Sequence, residues 1–212
     1  IERPGCQVDH MLVLEARQGA GKSSAVRILA GNTYLGSLPD LRDRKGAAEV
    51  LQARWICEVG ELDALRGAAS GRVKDFISQT TDYFRPAYMR VAAEYPRQVV
   101  FIGTTNEGQY LSDATGARRY WPVACVALDR VRLVADRDQL WAEALALYRQ
   151  GAPWWGDEQA EHLARDEQEQ RFTADEWEPV VARWLQEGSG GSEVTTGRVL
   201  EGALRMEPET WD

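Results

Sequence analysis

Apolar and polar positions alternate along the chain in two rhythms. Short, nearly continuous apolar runs predict strands at Met11 to Glu15 (MLVLE), Arg54 to Val59 (RWICEV), Gln98 to Thr104 (QVVFIGT) and Val123 to Leu128. Between them lie stretches with helical spacing. SSAVRILA, with Val26, Leu29 and Ala30 three to four apart, follows a Gly-rich turn directly after the first strand. Lys45 to Ala53 (KGAAEVLQA) has helix-forming composition, and Gly71 to Ser78 (GRVKDFIS) repeats the spacing. Gly36 to Leu41 (GSLPDL) and SDATGARRYW are loop-like, and Asp82 to Arg90 (DYFRPAYMR) suits two short extended pieces around a turn at Pro86.

From Asp136 onward the pattern turns helical. DQLWAEALALYRQ puts Leu140, Trp141, Ala144, Leu145 and Tyr148 on one face and stops at Gly151-Ala152-Pro153; a charged helix, DEQAEHLARDEQEQRF, follows. Thr173 is the expected cap of the next helix, TADEWEPVVARWLQ, GSGGS reads as a linker, and Thr196 is the expected cap of one more short helix. Strands alternating with helices predict an α/β fold with a parallel sheet core over residues 1–135 and a C-terminal helical part over 136–188. Residues 189–212 read as a linker and the start of a truncated winged-helix-like unit, so the chain is expected to be a fragment of a longer protein.

Composition narrows the classes. At 212 residues, 44% hydrophobic and 27% charged, the chain has the size of one globular domain with an appendage. No apolar run of about 18 residues or more suggests a membrane span, and IERPGCQVDH has neither the basic cluster nor the apolar core of a signal peptide, so a cytoplasmic protein is expected. Cys6, Cys57 and Cys125 are odd in number and far apart, and read as small buried hydrophobes. His10 and His162 lack clustered metal-ligand partners. A net charge of −8 argues against a general nucleic-acid coat, so any such contact must be local. Of the eight tryptophans, six lie from Trp141 onward at helical spacing and read mainly as packing residues rather than stacking platforms.

The chemistry concentrates in EARQGAGKSS, residues 15–24, which ends like the phosphate-binding pattern G-x-x-x-x-G-K-[S/T] but begins with Ala16. Such a loop works because consecutive backbone N–H groups point at phosphate oxygens, so Gln18, Gly19, Ala20, Gly21, Lys22, Ser23 and Ser24 are the expected nucleotide-binding residues. Lys22 is expected to reach the β and γ phosphates of ATP and Ser23 to hold Mg²⁺. Hydrolysis also needs an acid at the end of a neighbouring strand. RWICEVGELD offers Glu58, Glu61 and Asp63, with Glu61, past the strand end, first as catalytic acid and metal ligand. Asn106, at the exit of the third strong strand, could orient water, and Arg118 or Arg119 in TGARRYWP could stabilise charge from a neighbouring subunit.

The ordered series LEARQGAGKSS, WICEVGELDAL, VKDFISQTTDYFRPAYMR, PRQVVFIGTTN and DATGARRYWPV resembles the virulence-associated E family of phage and mobile-element proteins, from about Pro4 to Val123. That family belongs to the superfamily 3 helicase-like branch of AAA+ P-loop NTPases and is often fused to a primase domain. The resemblance implies an ATP-driven ring, a homo-oligomer of hexamer type, moving single-stranded DNA. By position it implies Gly19, Gly21, Lys22 and Ser23 as the Walker A residues, Glu61 as the Walker B acid, Asn106 as the sensor and Arg118 or Arg119 as the arginine finger. It matches the family's hairpin to Lys74 through Arg90, where Lys74, Arg85, Tyr88 and Arg90 combine positive charge with an aromatic face suited to single strands. Two departures stand: Ala16 for the first glycine, and Gly60 before Glu61 in place of an adjacent acidic pair. A P-loop phosphotransferase acting on a small substrate and a nucleotide-gated assembly module with little turnover are the rival readings.

Overall fold

Strands that are apolar on both faces need cover on both sides, and the computed structural model of the chain provides it. The structure describes residues 2–8, 10–60, 62, 68–106, 108–111, 117–154, 156–173, 177–188 and 194–206, with residues 68–70 as backbone only. Two compact units emerge, Ile1–Phe172 and Thr173–Asp212.

In the first unit β1 (Met11–Glu15), β2 (Tyr34–Leu35), β3 (Ile56–Val59), β6 (Val100–Thr105) and β7 (Tyr120–Ala124) form one five-stranded sheet in the order β2-β3-β6-β1-β7. Every neighbouring pair runs parallel, with Leu12 opposite Ile102, Met11 opposite Tyr120 and Glu58 opposite Ile102. The chain is therefore α/β, as its alternating pattern predicts. Parallel strands need crossovers, which α1 (Lys22–Ala30), α2 (Arg44–Leu51) and α3 (Ala68–Ile77) help to make. Side chains alternate across the sheet. Met11, Val13, Cys57, Val59 and Phe101 meet Leu51, Val73 and Phe76 on one side, and Leu14, Ile56 and Ile102 meet Val26 and Ala30 of α1 on the other.

The expected and observed elements differ at informative places. The two-residue β2 is too short to leave a periodic signal. The last sheet strand begins at Tyr120, earlier than the expected Val123 to Leu128, because Tyr120 and Trp121 pair with Met11 and Leu12. Pro122 is tolerated there because β7 is an edge strand and needs no N–H on its outer side. The two extended pieces around Pro86 are β4 (Thr81–Phe84) and β5 (Ala93–Pro96), an antiparallel hairpin whose second strand lies beyond Arg90.

The long helix α4 runs Arg130–Arg149, well before Asp136, capped by Asp129, whose carboxylate accepts from the Arg132 N–H at 3.0 Å. None of its residues is buried, and Arg130, Arg132, Asp136, Arg137 and Asp138 interrupt any apolar stripe at its start. Trp141 docks it on α1, donating from Nε1 to the Leu29 carbonyl at 2.9 Å and meeting Trp55 edge to face. α5 (Glu158–Gln170) is capped by Asp157 and packs near β7. In the second unit α6 (Glu178–Gln186) has Trp177, not Thr173, at its N-cap, and α7 (Thr196–Gly202) is capped by Thr195 rather than Thr196. Much of the GSGGS linker and the last six residues lie outside the described residues.

One buried ion pair fastens the hairpin. Arg97 donates to Asp82 from Nε at 2.8 Å and from Nη2 at 2.6 Å, and also bonds the Phe76 carbonyl at the end of α3 and Gln79. Both side chains are nearly enclosed, at 5% and 7% exposure. Removing one partner of such a pair strands a buried charge, at about 3–5 kcal/mol. Asp82→Ala should therefore lower the unfolding free energy by about 3–5 kcal/mol in urea denaturation, and a loss below about 1 kcal/mol would refute the anchoring role.

Of the cysteines only Cys57 is fully buried; Cys6 and Cys125 are half-buried. Burial, and then the neighbouring Glu58 charge, push the Cys57 thiol up to about 12. A thiol reagent at pH 8 should label Cys6 and Cys125 in the native protein and reach Cys57 only after denaturation; native labelling of three thiols would contradict that burial.

Candidate functional site

The glycine-rich segment between β1 and α1 needs backbone conformations that side chains resist. Gly19 and Gly21 sit at φ 77° and 95°, Gly21 forming the left-handed N-cap of α1, whereas Ala16 is not among the positive-φ residues. The missing first glycine is thus accommodated without strain. The loop lies at the C-terminal end of β1, where parallel α/β sheets open their ligand crevices.

A cavity of about 690 Å³ opens there, within the range of small-molecule sites. Gln18, Gly19, Gly21, Lys22, Ser23 and Ser24 line it from the loop and α1, Glu58 and Val59 from β3 with Gly60 just after it, and Thr104 and Thr105 from β6 with Asn106 just after it; of the expected loop residues only Ala20 is not in the lining. Lys22 is buried, and its ammonium donates to the carbonyls of Ala16 at 2.6 Å and Arg17 at 3.2 Å and to Asn106 Oδ1 at 2.8 Å. Two residues 84 positions apart, chosen from separate motifs, are in direct contact.

Strand alternation assembles the acidic wall. Glu58, opposite Ile102, lies on the α1 side of the sheet, and Thr104 two residues beyond Ile102 joins it. Only 3% exposed, Glu58 accepts from Thr104 Oγ1 at 3.0 Å and from the Tyr34 hydroxyl on β2. Burial, then the bond to Glu58, raise the Tyr34 phenol to about 12, so it remains a donor at neutral pH. The Arg27 guanidinium stands 5.2 Å from the centre of the same ring. In sequence Glu58 interrupts an apolar run and stands behind Glu61 as a candidate; among the described residues it is the carboxylate in the cavity wall. Glu61 and Asp63 lie outside the described residues. Ser23 and Glu58 both line the cavity, and a hydroxyl and a carboxylate are hard oxygen donors of the kind Mg²⁺ takes, although the described residues hold no cluster of three metal-ligating side chains.

Arg130, which belongs to no sequence motif, also lines the cavity. Its Cδ lies 3.3 Å from where a Cβ on Gly21 would stand, so its stem runs across the loop. The visible signal was only a basic residue at the start of a helix following the last sheet strand.

Other expected residues lie elsewhere. Arg118 and Arg119 form a short 3-10 turn leading into the N-terminal end of β7, beside Met11 and so roughly 13 Å of strand from the loop end of β1. Arg119 donates to Ser78 Oγ at 3.0 Å, while Arg118 is exposed at a second cavity with His10 and Trp121, whose ring centres lie 4.5 Å apart at a 38° tilt. Arg85, Tyr88 and Arg90 are exposed on the β4–β5 connection, Tyr88 at φ 69°. Lys74 does not share that surface: it sits on α3, buried to 6% exposure, with its ammonium 5.9 Å from the Tyr120 ring centre.

None of the curated proteins matches the sequence. Among solved structures, two A-form apo structures of the NrS-1 C-terminal region are similar, with TM-scores of 0.48 and 0.41 at 16% and 15% identity. They are matched over 80% and 78% of this chain but only 40% and 35% of their own length, so the chain spans well under half of them. The family model described as the virulence-associated protein E-like domain matches residues 1–173. The chain therefore belongs to the virulence-associated protein E-like domain family.

Proposed function

We propose that the chain is the Mg²⁺-dependent, ATP-hydrolysing module of a phage or mobile-element replication protein, with an AAA+, superfamily 3 helicase-like P-loop core, working as a homo-oligomeric ring on single-stranded DNA beside a primase domain in the full-length protein. The observation that carries this reading is the convergence of Lys22, Asn106 and Glu58, from three separate motifs, on one cavity at the glycine-rich loop. Family membership supports the phage or mobile-element setting.

In this reading the loop N–H groups and the start of α1 bind the phosphates, Lys22 supplies positive charge, and Arg130 adds a second cation beside Gly21. Asn106 orients the attacking water, and Glu58, with Glu61 as the second acid, accepts its proton. Bound Mg²⁺, held by Ser23 with Glu58 or Glu61, would neutralise charge on the phosphate oxygens. Arg118, far from its own loop along the sheet, is the residue a neighbouring copy would receive, and Arg119 is committed to Ser78. The exposed Arg85, Tyr88 and Arg90 supply the charge and ring that track a single strand.

Lys22→Ala should abolish ATP turnover, and Glu58→Gln should lower kcat about 100-fold or more with little change in KM, measured on the full chain. Retained turnover in Glu58→Gln together with its loss in Glu61→Gln would move the catalytic acid to Glu61. Single-stranded DNA should stimulate turnover, and the double substitution Arg85→Ala, Arg90→Ala should remove that stimulation and flatten its salt dependence. Activity that stays flat across the DNA titration would refute the motor; ATP-driven assembly without turnover would favour the nucleotide-gated module, and transfer to a small acceptor the phosphotransferase.

A further inference from the structure

A second polar cluster sits behind the loop and lines none of the cavity described above. Glu15, the last residue of β1, accepts from the Tyr110 hydroxyl at 2.8 Å, and Arg171 grips it with two donors, Nε to Oε1 and Nη2 to Oε2, the second at 2.8 Å. Arg171 Nη1 in turn donates to the Glu167 carbonyl at 2.7 Å and to its carboxylate at 2.6 Å. The Arg171 carbonyl accepts from the N–H groups of Tyr110 and Leu111, both at 3.1 Å. Arg171 and Tyr110 are 8% and 7% exposed. Three segments are thereby joined: the end of β1, the stretch after β6, and the residue that ends α5.

What those segments carry gives the cluster its meaning. Ala16, whose carbonyl holds the Lys22 ammonium, follows Glu15 directly, and Asn106, which also holds it, stands on the stretch that leads to Tyr110. Setting Glu15 against Tyr110 therefore sets two of the three acceptors of Lys22, the Ala16 carbonyl and Asn106, against each other. A buried ion pair adds little net stability compared with apolar packing, but a bidentate fork fixes geometry, so orientation is what this arrangement supplies. Burial and the bond to Glu15 both raise the Tyr110 phenol, which keeps its proton for that bond.

We propose that Glu15, Tyr110 and Arg171 form a clamp of positioning residues by which the end of α5 sets the conformation of the glycine-rich loop and the placement of Lys22. The inference rests on the reading that the loop binds nucleotide phosphates, but its structural half is testable without nucleotide. Tyr110→Phe removes one hydroxyl and keeps the ring, while Arg171→Lys keeps the charge and loses the fork. On the full chain, hydrogen exchange of the amides of residues 16–21 should quicken about tenfold in Tyr110→Phe, the scale of one lost hydrogen bond, and more in Arg171→Lys, with the β4–β5 hairpin unchanged. Binding of a fluorescent ATP analogue should weaken about tenfold in parallel. Loop exchange within twofold of wild type in Tyr110→Phe would overturn the clamp, whatever happens to the melting temperature. If the wild-type chain binds no nucleotide, the phosphate-binding reading fails, and the exchange measurement alone decides the clamp.

Discussion

An ammonium group removed from water must hand its protons to acceptors, and Lys22 meets that demand with two loop carbonyls and Asn106. The rest of the site depends on this constraint. It folds the loop back on itself, draws the end of β6 to the start of α1, and gives the cavity a fixed cation. In the proposed reading this lysine stands beside the place where phosphate charge would arrive, and binding exchanges one of its carbonyl partners for a phosphate oxygen.

Around that centre the chain spends its buried charges on attachment points. Arg171 ties α5 to the strand entering the loop, and Arg97 ties the β4–β5 hairpin to the end of α3. The sheet between them is held by ordinary apolar packing on both faces. Rigid support thus reaches the loop from behind, while the hairpin carries Arg85, Tyr88 and Arg90 outward on an anchored base.

How much of this was legible in the sequence follows from what each feature leaves in the pattern. The apolar runs of β1 and β6 and the glycines of the loop are local signals, and they mark Lys22 and Asn106, which the fold brings into contact. Glu58 is hard to place from sequence because an acid inside an apolar run looks like an interruption; its surroundings become clear only when β2 and β6 bring Tyr34 and Thr104 beside it. Tyr110 and Arg171 carry no motif, since their meaning lies in contact with Glu15, 95 and 156 positions away, and Arg130 stands out only by crossing Gly21. The resemblance groups Lys74 with Arg85, Tyr88 and Arg90, yet its helix turns it inward over Tyr120. The start of α4 before Asp136 is not legible because Arg130, Arg132, Asp136, Arg137 and Asp138 break the apolar stripe that its later turns show.

The most direct test of the central claim is a structure of the full chain with Mg²⁺ and a non-hydrolysable ATP analogue. The account predicts triphosphate density along residues 18–24, Lys22 withdrawn from the Ala16 carbonyl onto a phosphate oxygen, and a metal ion between Ser23 and the acidic wall formed by Glu58. Density for the nucleotide at any other place, or a saturated sample in which Lys22 keeps all three of its present partners and the cavity stays empty, would contradict it.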